Sequence, residues 1–149
     1  MAKRLFEQAS ITLNSYDISA DVYGMDIMVG RRGAVDVTGL SDTWDQLLVP
    51  NIRRWAVKMD YFNNFAGTSE SPTGIATVLQ GVLMSTATTG VTLTVRATTA
   101  NRSVNNPEWT GQVQIDGDFS GMAGSVAEAD KGSVTVKGLG TLSRYTSSS

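Results

Sequence analysis

The sequence predicts a mainly-β domain: an antiparallel β-sandwich or barrel of about seven strands, one α-helix at about residues 72–84, and a long extended hairpin or loop arm at about 25–54. Three observations carry that prediction. Apolar and polar residues alternate with a period of two in several stretches. The strictest is 55–61, where Trp55, Val57, Met59 and Tyr61 fall on one face and Ala56, Lys58 and Asp60 on the other. Helical spacing is convincing in one place, at Ile75, Val78, Leu79, Val82 and Leu83. Gly, Thr, Ser and Val dominate the composition, which favours strands and turns.

Taken in order, Ile11 and Leu13 alternate in a short strand, and Asn14-Ser15-Tyr16-Asp17 breaks it. A second strand follows from Ile18 to Val29, with a bulge or bend near Gly24. Met25, Ile27 and Val29 share one face, Gly30-Arg31-Arg32-Gly33 reads as a turn, and Val35 and Val37 share a face beyond it. That pattern predicts a local β-hairpin. The connection from Thr38 to Arg54 has little periodicity but carries Trp44, Leu47, Leu48 and Val49. Apolar side chains on an extended segment need a surface to cover, so the arm reads as an assembly device.

After the strand at 55–62 and a polar loop, Ser71 is a suitable N-cap and Pro72 a suitable first helical residue. Val91, Leu93, Val95 and Ala97 then alternate with Thr92, Thr94 and Arg96. In the next strand Trp109, Gly111, Val113, Ile115, Gly117 and Phe119 alternate with Thr110, Gln112, Gln114, Asp116 and Asp118. Val134 and Val136 open a last strand that continues through Leu139 and Leu142, and 143–149 reads as a frayed polar tail.

Several function classes are excluded by composition. The 149 residues are read as one domain, 1–149, large enough for a real core. Charged residues make up 17% and the net charge is −2, so the chain lacks the basic footprint of a tight nucleic-acid binder. Without cysteine or histidine there is no thiolate chemistry, no Ser-His-Asp triad and no imidazole metal ligand. No apolar run approaches the roughly 18 residues of a membrane span, and the N-terminus is not a secretory signal. The reading is of a soluble chain made in a cytoplasm, needing no cofactor and not an enzyme.

The motifs with chemical potential have plain structural readings. Asp116-Gly117-Asp118 lacks the further oxygen ligands of a calcium loop, and as successive outward residues of one strand the carboxylates need no metal. Arg31-Arg32 suits either a phosphate grip or an exposed turn, and Arg53-Arg54 either an interface or solvent. Trp44 is assigned to burial against a partner and Trp109 to core packing, with sugar stacking as the competing role of both. Asn101-Arg102-Ser103 is a chance glycosylation pattern.

The order of several short motifs resembles the tail tube (major tail) proteins of long-tailed, non-contractile bacteriophages over nearly the whole chain. The motifs are Asp17-Ile18-Ser19, Val35-Asp36-Val37-Thr38, Asp42-Thr43-Trp44 and Pro50-Asn51-Ile52-Arg53-Arg54-Trp55. The helix, Asn106-Pro107 and the closing run from Val134 to Arg144 also sit where that family places them. The chain stops soon after Arg144, so the additional immunoglobulin-like domain of some members is not expected.

The resemblance implies a virion structural protein, assembled in the host bacterial cytoplasm, whose hexameric rings stack into a tube for DNA ejection. It implies contacts with the tail terminator and distal tail proteins at the tube ends. The tape measure protein and DNA would occupy the lumen without specific binding. Arg31, Arg32, Trp44, Leu47, Leu48, Val49, Arg53 and Arg54 are then subunit-interface candidates, with the Arg31-Arg32 tip meeting an acidic patch next door. Because DNA must slide, a lumenal wall free of basic rows is expected. Gln112, Gln114, Asp116 and Asp118 are the lumen-facing candidates, with Asp60 a weaker one. The competing readings are a carbohydrate-binding or adhesion β-sandwich, and a related tail part that caps or initiates the tube.

Overall fold

The computed structural model describes residues 9–31, 33, 35–48, 52–67, 72–84, 90–118 and 130–147. Strands β1 (Ser10–Leu13) and β2 (Tyr16–Asp17) meet across a tight turn, and β3 follows as Val22–Arg31. The turn residues Asn14 and Ser15 have φ of 51° and 70°, the left-handed pair a two-residue hairpin requires. Next come β4 (Val35–Asp36), β5 (Leu47–Leu48), β6 (Arg53–Phe62) and the helix α1 (Ile75–Leu83). Strands β7 (Val91–Arg96), β8 (Glu108–Ile115) and β9 (Lys131–Tyr145) complete the chain.

Seven strands form one antiparallel sheet in the order β2-β1-β7-β8-β9-β6-β3, and β4 and β5 form a separate two-stranded ribbon. The mainly-β class, with a single helix among the described residues, is as the sequence predicts. Of the sandwich and barrel forms the sequence allows, a closed barrel is not the one adopted: among the described residues no ladder joins the edge strands β2 and β3. Instead the sheet curls, with register shifts at Val22/Gly24 in β3 and Thr110/Gln112 in β8 that increase local bending. Its concave face gathers Ile11 and Leu13 of β1, Leu93 and Val95 of β7, Val113 of β8, Val136 of β9 and Val57, Met59 and Tyr61 of β6 into one core. Helix α1 covers that core with Ile75, Val78, Leu79 and Val82.

Trp55 sets the spacing at one rim of the core. It lies opposite Gly138, and its indole covers Gly138 and reaches Gly111. A Cβ on Gly138 would stand 2.1 Å from the ring, so this close approach admits only glycine. The indole N–H donates to the Gly140 carbonyl at 3.0 Å, satisfying its one polar atom.

Four local expectations need correction. The Met25–Val37 hairpin is not local: β3 pairs along its length with β6, from Val22↔Tyr61 to Arg31↔Arg53. Strand β6 offers a continuous apolar partner face, which β4 cannot match. The helix starts at Ile75 after Gly74, not at Pro72, while Pro72 forms a bridge to Gly67; Ser71 lies outside the described residues. Its first N–H groups are served from a distance, Ile75 N–H donating to Asp21 Oδ2 at 3.1 Å. Strand β8 stops at Ile115, short of Phe119, which lies outside the described residues. Finally, 143–145 is not frayed, because Ser143, Arg144 and Tyr145 pair with Thr110, Trp109 and Glu108.

Candidate assembly surfaces

The arm leaves the body between β3 and β6. Val35↔Leu48 and Asp36↔Leu47 pair across it, and Val37 N–H donates to Gln46 O at 2.9 Å. Asp36 organises its turn by accepting from Thr38 N–H at 2.9 Å and from the Thr38 hydroxyl at 2.6 Å. Those two bonds, the hydroxyl's first, hold the Asp36 carboxyl below its ordinary pKa. Beyond this scaffold the arm keeps its apolar side chains in solvent: Trp44 is 80% exposed, Leu47 61%, Leu48 62% and Leu40 wholly so. Val35, Val37 and Ile52 are also more than half exposed. That is more clustered apolar exposure than singly scattered surface residues account for.

Arg31 ends β3 directly opposite Arg53, while Arg54 lies opposite Gly30. Arg31 therefore stands at the root of the arm and not at a hairpin tip, which corrects the sequence expectation. Arg53 and Arg54 are both exposed. Arg32 and Val49, the other two interface candidates, lie outside the described residues.

The convex face of the sheet is the second surface. Register aligns Asp26, Lys58 and Thr135 in one row and Met28, Ala56, Lys137 and Gln114 in the next. Asp116 N–H donates to Thr135 O at 3.1 Å, which continues the first row onto Asp116. Asp60 pairs with Ser133 in a third row, and Gln112 Nε2 donates to Thr92 Oγ1 at 2.8 Å. The strands thus bring Gln112, Gln114, Asp116 and Asp60 to one polar face. Asp118 is not a strand-face residue, since the chain turns away at Gly117 with φ of 82°. The register also adds what single-strand reading missed: Lys58 and Lys137 share this face with Asp26, Asp60 and Asp116, so it carries both signs and is not free of cations.

Trp109 also departs from the expectation of core packing. It shares the face of Val95 but is half-buried, lining an apolar cleft of about 300 Å³ with Met25, Ile27 and Pro107. The Arg144 guanidinium lies 5.7 Å from the centre of its ring. Among the described residues no group of three or more acidic side chains is placed to hold a metal ion. No described helix is long and apolar enough to cross a membrane.

Neither a protein-family model nor a curated protein matches the chain. Solved structures do match. A chain from the virion of a native gene transfer agent particle aligns with a TM-score of 0.66 at 17% identity, covering 97% of this chain and 100% of its own. A chain of the SPP1 tail tube aligns with a TM-score of 0.67 at 8% identity, covering 99% of this chain and 81% of its own. The fold is the tail-tube fold. A further chain with it comes from the tail of an empty gene transfer agent particle, refined helically with C6 symmetry. That chain aligns with a TM-score of 0.58 at 17% identity, covering 85% of this chain and 83% of its own. The resemblance drawn from the order of the motifs thus holds at the level of the fold.

Proposed function

We propose that this chain is a structural tail-tube subunit that self-assembles into hexameric rings, which stack into the conduit for DNA ejection. The observation that carries the reading is the exposed apolar arm, 35–48, on a domain of tail-tube fold whose own core is already closed. A second copy is the natural cover for such an arm, and a donor arm with an acceptor site elsewhere on the same chain gives head-to-tail contacts. These close into rings or repeat without end. The likeness to a tail chain of C6 symmetry supports six subunits in the ring.

In this reading the single domain acts in the virion tail after assembly in the host cytoplasm, with terminator and distal tail proteins at the tube ends. Its role is mechanical and not catalytic. The convex face carrying Gln112, Gln114, Asp116 and Asp60 turns to the lumen, where tape measure protein and DNA lie without specific binding. Its mixture of Asp26, Asp60 and Asp116 with Lys58 and Lys137 gives phosphate no sustained basic row to grip. The test is negative-stain microscopy of the purified protein over a concentration series. Rings and hollow tubes are expected; featureless single particles at every concentration would refute the proposal.

A further inference from the structure

At the root of the arm, where β6 joins the sheet beside β9, lies a groove of about 580 Å³ whose described lining includes three cations and no acid. Its walls carry Arg53, Arg54 and Lys137, its floor is the Trp55 ring over Gly138 with the open backbone of Gly140, and Ile52 is an apolar margin. Arg31 stands across the β3–β6 ladder from Arg53, an arrangement of like charges that costs stability until an anion separates them. Among the described residues the only ion pair is Arg102–Glu108, at 3.6 Å, so none of these cations is neutralised there. Asp116 shares an adjoining cleft with Arg54 and Lys137 but forms no ion pair with either.

The arm has the opposite charge. Residues 35–48 hold Asp36, Asp42 and Asp45 and no lysine or arginine. Asp42 accepts from Gly39 N–H at 2.6 Å, and Asp45 is exposed beside the exposed Trp44. Neither lines the groove of its own chain. We infer that the Arg53 and Arg54 wall of this groove receives the Asp42–Asp45 segment of a second copy's arm, leaving Lys137 to the convex face, so that each subunit is donor at one end and acceptor at the other. This rests on the self-assembly proposed above and names the seat of the arm. Trp44 lies between the two carboxylates in sequence and brings the apolar area that exposed ion pairs alone would not supply. Charge complementarity of this kind steers encounter and fixes register.

The test uses the full-length chain in two charge-reversed variants, Asp42→Lys with Asp45→Lys and Arg53→Glu with Arg54→Glu, read by light scattering and electron microscopy. Each alone should raise the concentration needed for assembly about tenfold or more, since like charges then face each other. Mixed in equal amounts they should co-assemble, because each reversed arm finds a reversed groove and each native arm a native groove. Circular dichroism and thermal melts should match wild type, as all four positions are exposed.

Restoration in the mixture, absent from either variant alone, supports the assignment. Reversed variants that assemble like wild type overturn it, as do folded variants that the mixture fails to rescue. A wild-type chain that never assembles overturns the tube reading itself and is distinguished by that control. The competing ligand is nucleic acid. If a short DNA duplex is retained by wild type and lost from Arg53→Glu with Arg54→Glu, while assembly is unchanged, the groove belongs to phosphate and the inference fails.

Discussion

Trp55 shows what single residues decide here. Its alternation with Val57, Met59 and Tyr61 is legible in the sequence, and all four are buried as the pattern requires. What it packs on was not legible, because Gly111 and Gly138 become its seat only through the register of β6, β9 and β8. Gly138→Ala is therefore expected to destabilise the fold by about 3 kcal/mol, at the upper end of overpacking costs. Urea unfolding measures it, and an unchanged midpoint would contradict the packing. Asp21 was equally invisible as a helix cap, being 54 residues from Ile75. Asp21→Ala should cost about 1–2 kcal/mol, measured by the same urea unfolding, and an unchanged midpoint would remove it as the cap.

Tyr61 carries a pH dependence. Burial, and then the negative charge of Asp130, raise its phenol above the ordinary 10.0. The folded chain thus holds this proton to higher pH than the unfolded chain. The stability it contributes is intact below 10.0 and lost as pH rises through the folded value. Unfolding measured across alkaline pH should decline less steeply in Tyr61→Phe; identical slopes would remove Tyr61 as the source.

At the scale of elements, the arm was legible as an apolar segment without a core to enter, whereas its pairing was not. Met25–Val29 alternates equally well for a local partner at Val35–Val37 and a distant one at β6, and alternation alone does not choose between them. The length of the matching apolar face decides it, which is a property of the folded sheet. Because the ribbon forms its own sheet, its anchors can be removed without opening the core. Trp44→Ala with Leu48→Ala should leave the melting temperature within about 1–2 °C of wild type while assembly is lost, each anchor being worth about 2 kcal/mol or more at the interface. A large fall in melting temperature would mean that the arm stabilises its own subunit; normal tubes would mean that it is no clasp.

For the whole molecule, the class, the helix and most strands could be read from periodicity, because a one-faced core forces a period of two on every strand that borders it. The open sheet could not, since closure depends on bulges and on whether the edge strands β2 and β3 come within hydrogen-bonding distance. The mixed charge of the convex face was hidden for the same reason: Lys137 stands beside Gln114 only through pairing between strands distant in sequence. Asp116→Lys with Lys58 and Lys137 intact would tip that face basic. Tubes of this variant should still form but should bind DNA in a salt-dependent way that wild-type tubes do not.

A cryo-electron microscopy reconstruction of filaments grown from the purified protein decides whether copies of this chain build a hollow six-fold tube clasped by the arm. Six subunits per ring around an open bore are expected, with Gln112, Gln114 and Asp116 facing the axis and Trp44 buried against a neighbouring copy. Filaments without a bore, or a bore lined by another face with Trp44 left in solvent, would contradict that assembly.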